Sequence, residues 1–291
     1  LYRAKEDGRN CHRTYDADMD AMLKTKRLLK DDLRADLMAG RLSMVYQPQV
    51  RLSGEVVGLE ALVRWTHAER GAISPSVFIP IAEDGGLIKL LGEFTLKQAA
   101  LDSRRWPHLK IAVNVSATQV RDPYFVEQAK RMVEEAGASP ANIEIELTEG
   151  VFFSSEQETL ATLDALHEAG FSIALDDFGT GYSSLSYLQR FPIDKIKIDR
   201  SFVSSLGQDS KADALFTAIV RLANALEMGV IAEGVETHEQ WLRLTRAGCP
   251  KIQGYVASRP LCAEDVQSFI DAGHNTESRV TNDAEIARSA M

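Results

Sequence analysis

Read along the chain, short apolar runs carry or end in residues that are nearly all of metal-ligand type. They are Glu60, Asn114, Glu146, Asp176 followed by Asp177, Lys197 with Asp199, Glu233 and Gln253. Oxygen donors of this kind suit Mg²⁺ or Mn²⁺. The six histidines (His12, His67, His108, His167, His238 and His274) are scattered and none sits at the end of a run, which disfavours zinc. Adjacent Asp176 and Asp177 would let one carboxylate bridge two ions while its neighbour binds only the second, the arrangement of two-metal phosphodiester hydrolysis. Tandem aspartates also start turns and cap helices. A barrel enzyme that stabilises an enolate with Mg²⁺ on strand-end carboxylates is the rival chemistry at this point.

The segment Asp177-Phe178-Gly179-Thr180-Gly181-Tyr182-Ser183-Ser184-Leu185 follows the aspartate pair directly. Gly179 and Gly181 permit backbone angles closed to other residues, so an active-site loop is expected here. No lysine follows at P-loop spacing, which weakens a phosphate-cradle reading.

The elements that must position these residues come next. After Gly40 the pattern becomes short β-like runs separated by helical stretches, the signature of a parallel sheet with crossover helices. Eight runs are expected, near Ser43–Val50, Val56–Trp65, Ile111–Val115, Ile143–Leu147, Phe171–Asp176, Asp194–Asp199, Val230–Gly234 and Lys251–Val256. Helices are expected over Pro75–Trp106, Ala117–Glu135, Ser155–Ala169, Lys211–Met228 and Glu239–Ala247. This count suits a closed TIM-like (β/α)8 barrel of the α/β class, whose active site lies at the carboxyl ends of the strands. No GxGxxG and no GxxxxGK[ST] is present, which removes the usual dinucleotide and P-loop signals.

Strand parity then assigns faces. In Ile143-Glu144-Ile145-Glu146-Leu147 the apolar residues take one face and both carboxylates the other; the same alternation in Lys195-Ile196-Lys197-Ile198-Asp199 puts Lys197 and Asp199 together. If the apolar faces meet helices, the charges point into the barrel, where they need compensation. A solvent-facing antiparallel strand would show the same alternation, but the arrangement repeats on successive strands.

The 291 residues, 45% hydrophobic, can bury a barrel-sized core. A net charge of -9, from 33 basic and 42 acidic residues, excludes a passive duplex-binding surface, which needs a basic footprint. Cys11, Cys249 and Cys262 lack metal-finger spacing and form no disulfide framework. No run reaches the roughly 20 apolar residues of a membrane span, so no membrane contact and a cytoplasmic setting are expected for this segment. From Ala17 to Ala39 an amphipathic stripe of Met19, Met22, Leu23, Leu29, Leu33 and Leu37 predicts a helix ended by Gly40, either a packed linker or a short signalling coiled coil. The start in Leu1 rather than Met suggests a piece of a longer protein, and the polar stretch 275–291 reads as a frayed tail.

Taken in order, the motifs resemble those of EAL-type cyclic di-GMP phosphodiesterases. They are Tyr46-Gln47-Pro48, Glu60-Ala61-Leu62-Val63-Arg64-Trp65, Asn114-Val115-Ser116, Glu146-Leu147-Thr148-Glu149, Asp176-Asp177-Phe178-Gly179-Thr180-Gly181, Lys195-Ile196-Lys197-Ile198-Asp199, Ala232-Glu233-Gly234-Val235-Glu236 and Gln253-Gly254-Tyr255. The resemblance runs from about Asp31 to Ile270. It implies a barrel domain over 41–274 with one antiparallel strand near the start, preceded by a linker helix over 14–40. Residues 1–13 resemble the end of a GGDEF domain, without its cyclase signature.

What the resemblance implies for the site is specific. Glu60, Asn114, Glu146 and Asp176 would hold one divalent cation, and Asp176, Asp177 and Glu233 a second, Mg²⁺ or Mn²⁺ in each case. Lys197, Glu233 and Gln253 would serve catalysis, with Lys197 at the attacking water. Arg64 would meet a substrate phosphate, Gln47 and Leu62 would line the nucleotide channel, and Glu236 would lie beside it. Glu149 would anchor the loop after Asp177, with Gly150 the one departure next to it. The implied reaction is metal-dependent hydrolysis of cyclic di-GMP to linear pGpG by a homodimer; the alternative is a catalytically silent receptor for the same nucleotide.

Overall fold

The computed structural model describes residues 17–153, 156–180 and 185–273. Residues 1–13, which the resemblance assigned to the end of a preceding domain, Cys11 among them, Gly181 to Ser184 of the glycine-rich segment and the stretch 275–291 lie outside the described residues. Ten strands are present among them: β1 Ser43–Arg51, β2 Val56–His67, β3 Gly71–Ile73, β4 Lys110–Asn114, β5 Ile143–Thr148, β6 Ser172–Phe178, β7 Lys195–Ile198, β8 Gly229–Ala232, β9 Lys251–Gln253 and β10 Leu261–Cys262. The chain groups into two compact units, Leu1–Leu42 with Trp65–Leu87 and Ser43–Arg64 with Ile88–Met291.

In the first unit the expected stripe forms the helix Ala17–Met38, with Leu29, Leu33 and Leu37 buried one turn apart and Leu23 and Leu28 exposed. Gly40 stops it at φ +64°, a conformation that glycine adopts without a Cβ penalty. The Trp65 indole donates to Asp36 at 2.7 Å and its ring meets Phe78 edge-on at 5.8 Å. Burial alone would raise the Asp36 carboxyl, but the Trp65 and Arg41 hydrogen bonds hold it below its ordinary value. Strand β3, absent from the expected set, pairs antiparallel with Trp65 to His67.

The second unit contains a closed sheet. Its strands follow the order β1-β9-β8-β7-β6-β5-β4-β2, and β1 also pairs with β2, which seals the barrel at eight strands. Strand β1 is antiparallel to both neighbours while the rest run parallel. The eight expected runs are these eight strands. Parity holds on β5: Ile143, Ile145 and Leu147 form buried apolar contacts on one face, while Glu144 and Glu146 are buried on the other.

Several boundaries differ from expectation. The helix expected over Pro75–Trp106 is two, Pro75–Asp84 and Ile88–Ser103, because Gly86 sits at φ +70° and cannot continue a right-handed helix. Strand β9 stops at Gln253, because the chain turns at Gly254 against the Val235 backbone with no room for a Cβ. A final helix, Ala263–Asp271, buries Val266 and Phe269 and had no counterpart in the expected set. Asp199 does not join Lys197 on a strand face: its carboxylate caps the helix Arg200–Ser205 by accepting from the Ser201 N–H. The alternation ends there because the strand ends at Ile198 and the chain must start a helix.

Capping motifs start the helices that follow two site-bearing strands. Ser116 and Gln119 form a capping box just after Asn114, and Thr237 and Gln240 form another just after Glu233. Each satisfies backbone N–H groups at a helix start, a contribution of about 1 kcal/mol, and fixes where the carboxyl-end loops leave the barrel.

Candidate metal centre

The parallel strands present their inward residues at the carboxyl end, and Lys197 of β7 is at the centre of them. Its ammonium lies 2.7 Å from Glu146, 2.7 Å from Glu233, 3.2 Å from Asp176 and 3.6 Å from Glu60. These carboxylates come from β5, the loop after β8, β6 and β2. Lys197 and Glu146 are each only 1% exposed, so little solvent screens the group. Burial opposes the charge on Lys197, but the surrounding carboxylates, Glu146 first, push the ammonium well above its ordinary range.

One ammonium cannot balance this set. Asp177 adds a fifth carboxylate, and Asp176, Asp177 and Glu233 each place an oxygen within 4.8 Å of the others. The crowding of negative charge raises the proton affinity of several of these carboxyls. Burial first, then the neighbouring carboxylates, raise Glu146 well above the ordinary range against the pull of Lys197, and Glu233 up to about 8. Asp177 is raised too, by burial and by Asp176. Glu60 goes the other way: burial would raise it, but Lys197 and hydrogen bonds from Gln253 and Asn114 hold it lower.

The donor set fits divalent cations. Among the described residues Glu146 Oε1 is buried with no hydrogen-bond partner, a costly arrangement unless the oxygen has another use. With all five carboxylates ionised, one ammonium would leave four negative charges, which two divalent cations would cancel. All donors are oxygens, the choice of Mg²⁺ or Mn²⁺ over zinc.

The other expected residues fall as follows. Asn114 donates to Glu60 Oε1 at 2.7 Å, which ties it to the cluster. Gln253 donates to Glu60 Oε2 and, at 3.3 Å, to Gln47 Oε1. Leu62 and Arg64 share the Glu60 face of β2 by parity and are half-buried. Burial lowers the Arg64 guanidinium, with Glu60 and Tyr255 opposing. Glu236 is exposed beyond the strand, and among the described residues it is outside the ion-pair network. Glu149 accepts from the Gly179 N–H at 2.7 Å, which ties the start of the glycine-rich segment to the end of β5. Gly179 needs its lack of a side chain: φ is +96° and a Cβ would lie 2.5 Å from Phe202. Gly150 has no such need, since a Cβ there meets only Thr148 Oγ1 at 3.8 Å, and the Glu149 contact forms beside it. Asp177 bears a strained φ of +53° at the cluster's edge.

Sequence reasoning did not single out Gln49 or Lys195, which lie with Glu144 in a second polar layer. Lys195 bonds Glu144 at 2.6 Å and Gln49 at 3.3 Å. The available signal was parity, because each lies two residues from a site residue on the same strand: Gln47, Glu146 and Lys197.

Comparisons with known proteins place this geometry. A family model described as "EAL domain" matches residues 30–260. The chain is 44% identical over 275 residues to a Caulobacter vibrioides protein known only as an uncharacterized signaling protein, covering 94% of this chain and 34% of that one. It is 39% identical over 276 residues to the Pseudomonas aeruginosa bifunctional diguanylate cyclase/cyclic di-GMP phosphodiesterase MucR, covering 93% of this chain and 40% of that protein. The chain thus spans between about a third and two fifths of these relatives. A solved structure of the MucR phosphodiesterase in complex with c-di-GMP superposes with a TM-score of 0.79 at 40% identity, covering 82% of this chain and 99% of that one. By sequence, by fold and by the order of its motifs, the chain belongs to the EAL domain family.

Proposed function

We propose that this domain hydrolyses cyclic di-GMP to linear pGpG with the help of divalent cations, ending a second-messenger signal. The observation that carries the reading is the imbalance at the barrel mouth: carboxylates from separate strands share one buried ammonium, and Glu146 keeps an oxygen without a partner. Relatives named as cyclic di-GMP phosphodiesterases and the c-di-GMP complex of MucR supply the substrate class.

In this reading Glu60, Asn114, Glu146 and Asp176 hold one cation and Asp176, Asp177 and Glu233 hold another, of the magnesium or manganese type. When bound, such ions supply positive charge to the phosphodiester and bring water toward its deprotonated form at neutral pH. Lys197 keeps fixed positive charge beside the reacting phosphorus, where negative charge grows in the transition state. Gln253 directs its amide N–H groups at Glu60 and Gln47 and so holds the rim of the site in one orientation. Arg64 meets a substrate phosphate, Gln47 and Leu62 line the nucleotide channel, and Glu236 borders it. Glu149 keeps the Gly179 loop against the cluster.

The full ligand set favours turnover over the silent-receptor alternative. Incubation with cyclic di-GMP and Mg²⁺ or Mn²⁺, with and without chelator, should yield pGpG in the metal samples alone. Nucleotide binding with no product in any sample would establish the receptor instead. The proposal extends to a cytoplasmic setting and a homodimer, which light scattering of the purified chain tests. Among the described residues no helix is long and apolar enough to cross a membrane. The MucR relative's cyclase name supports reading residues 1–13 as the end of a GGDEF domain.

A further inference from the structure

Two amides, Gln49 and Gln253, link Lys195 to Glu60, and the groups at either end dictate how both must face. The Lys195 ammonium can only donate, so its 3.3 Å contact falls on Gln49 Oε1. That leaves Gln49 Nε2 pointing the other way, where it donates to Gln253 Oε1 at 3.1 Å. With its carbonyl engaged, Gln253 presents Nε2 to Glu60 Oε2, an acceptor-only carboxylate. Gln47 agrees with this sense: its Nε2 donates to the Ser258 carbonyl at 3.3 Å and its Oε1 receives Gln253 Nε2. Reversing either amide along the chain would set donor against donor at one end and carbonyl against carboxylate at the other.

The fold also makes room for the middle link. Gln49 is 1% exposed and stands directly across the β1–β2 ladder from Gly58. A Cβ at position 58 would lie 2.9 Å from Gln49 Oε1. The glycine is thus the seat in which the Gln49 amide rests.

We propose that Gln49 is a positioning residue for the metal centre, locking the Gln253 amide so that its N–H groups, and not its carbonyl, fix the orientation of Glu60. The proposal rests on the reading that Glu60 and its neighbours hold divalent cations. Gln49 touches neither cation nor substrate; its effect passes through Gln253, as outer partners of metal ligands orient those ligands.

The test measures Mn²⁺ binding by calorimetry, without substrate, on the 291-residue chain and its Gln49→Met, Gln49→Glu and Gly58→Ala variants, with thermal midpoints taken in chelator. Gln49→Met should weaken Mn²⁺ binding by about tenfold to a hundredfold while the midpoint in chelator barely moves. Gln49→Glu should weaken it at least as much, because an acceptor facing Gln253 Oε1 forces that amide to turn its carbonyl toward Glu60. Gly58→Ala should act in the same direction and less. Wild-type affinity in a folded Gln49→Met or Gln49→Glu variant overturns the proposal. If neither folds, Gly58→Ala decides, and unchanged affinity there overturns it equally. A wild-type chain that binds no Mn²⁺ fails the underlying metal reading, whereas wild-type binding with indifferent variants fails only the role given to Gln49.

Discussion

Two lysines two residues apart on β7 enter the same barrel with opposite electrostatic outcomes. Lys195 meets one carboxylate, Glu144, at 2.6 Å, with Gln49 completing its hydrogen bonds. There one ammonium pairs with one carboxylate, the lysine side chain 11% and the glutamate 2% exposed, and Lys251 adds further positive charge nearby. Lys197 meets four carboxylates, and Asp177 stands beside them. Burying unbalanced charge is expensive, so a stable barrel would not retain the second arrangement for packing. The Lys195 layer has no carboxylate in excess; the Lys197 layer does, and it is the one to which the proposed function assigns cations.

The largest test of this contrast is Asp176→Ala, which removes the carboxylate assigned to both cations. Phosphodiester hydrolysis should fall by roughly a thousandfold or more, the equivalent of about 4 kcal/mol of transition-state stabilisation. Product formation at saturating Mn²⁺ is the measurement, and residual activity near wild type would remove Asp176 from the site.

A second test contrasts the layers through stability. Lys195→Met alone leaves Glu144 buried without its cation and should cost about 3–5 kcal/mol in denaturant unfolding, whereas Lys195→Met with Glu144→Met should recover most of it. Pairwise replacement cannot rescue the upper layer, since no single carboxylate is the partner of Lys197. If the double variant is as unstable as the single one, Lys195 and Glu144 are not a self-contained pair.

Glu149→Ala sharpens the boundary of the upper layer. It removes the acceptor for the Gly179 N–H but no ligand, so Mn²⁺ affinity should drop by about tenfold to a hundredfold. Calorimetry reads this directly; unchanged affinity would show that the loop holds its place without Glu149.

A final test is in pH. Glu233 is raised from 4.5 to about 8 by burial and its acidic neighbours, so over that interval the folded chain binds more protons than the unfolded one. Stability in chelator should therefore decline as pH rises from 4.5 toward 8. Saturating Mn²⁺, which takes the place of the proton, should flatten that slope. Thermal midpoints across the range test it, and a rising midpoint in chelator contradicts the assigned charge deficit.

Much of this was legible in the residues. Alternation on β5 and β7 forecast that Glu146 and Lys197 face inward, and the short apolar runs forecast eight strands, because period-two burial is a local property. Asp199 misled, since alternation says nothing of where a strand stops, and its carboxylate instead caps the next helix by accepting from the Ser201 N–H. Strands β3 and β10, three and two residues long, are too short to carry a periodic signal. Gln49 had the correct parity but no charge to draw notice.

By itself the sequence determined which side chains point into the barrel and that they are nearly all oxygen donors, because both follow from residue type and near-neighbour spacing. Only the tertiary structure decided which of them share Lys197, that Glu146 keeps a free oxygen, and which way Gln253 turns. Those outcomes depend on closing the sheet, which brings Glu60 to Gln253 across 193 positions of chain, and on donor and acceptor matches that exist only once the strands stand side by side.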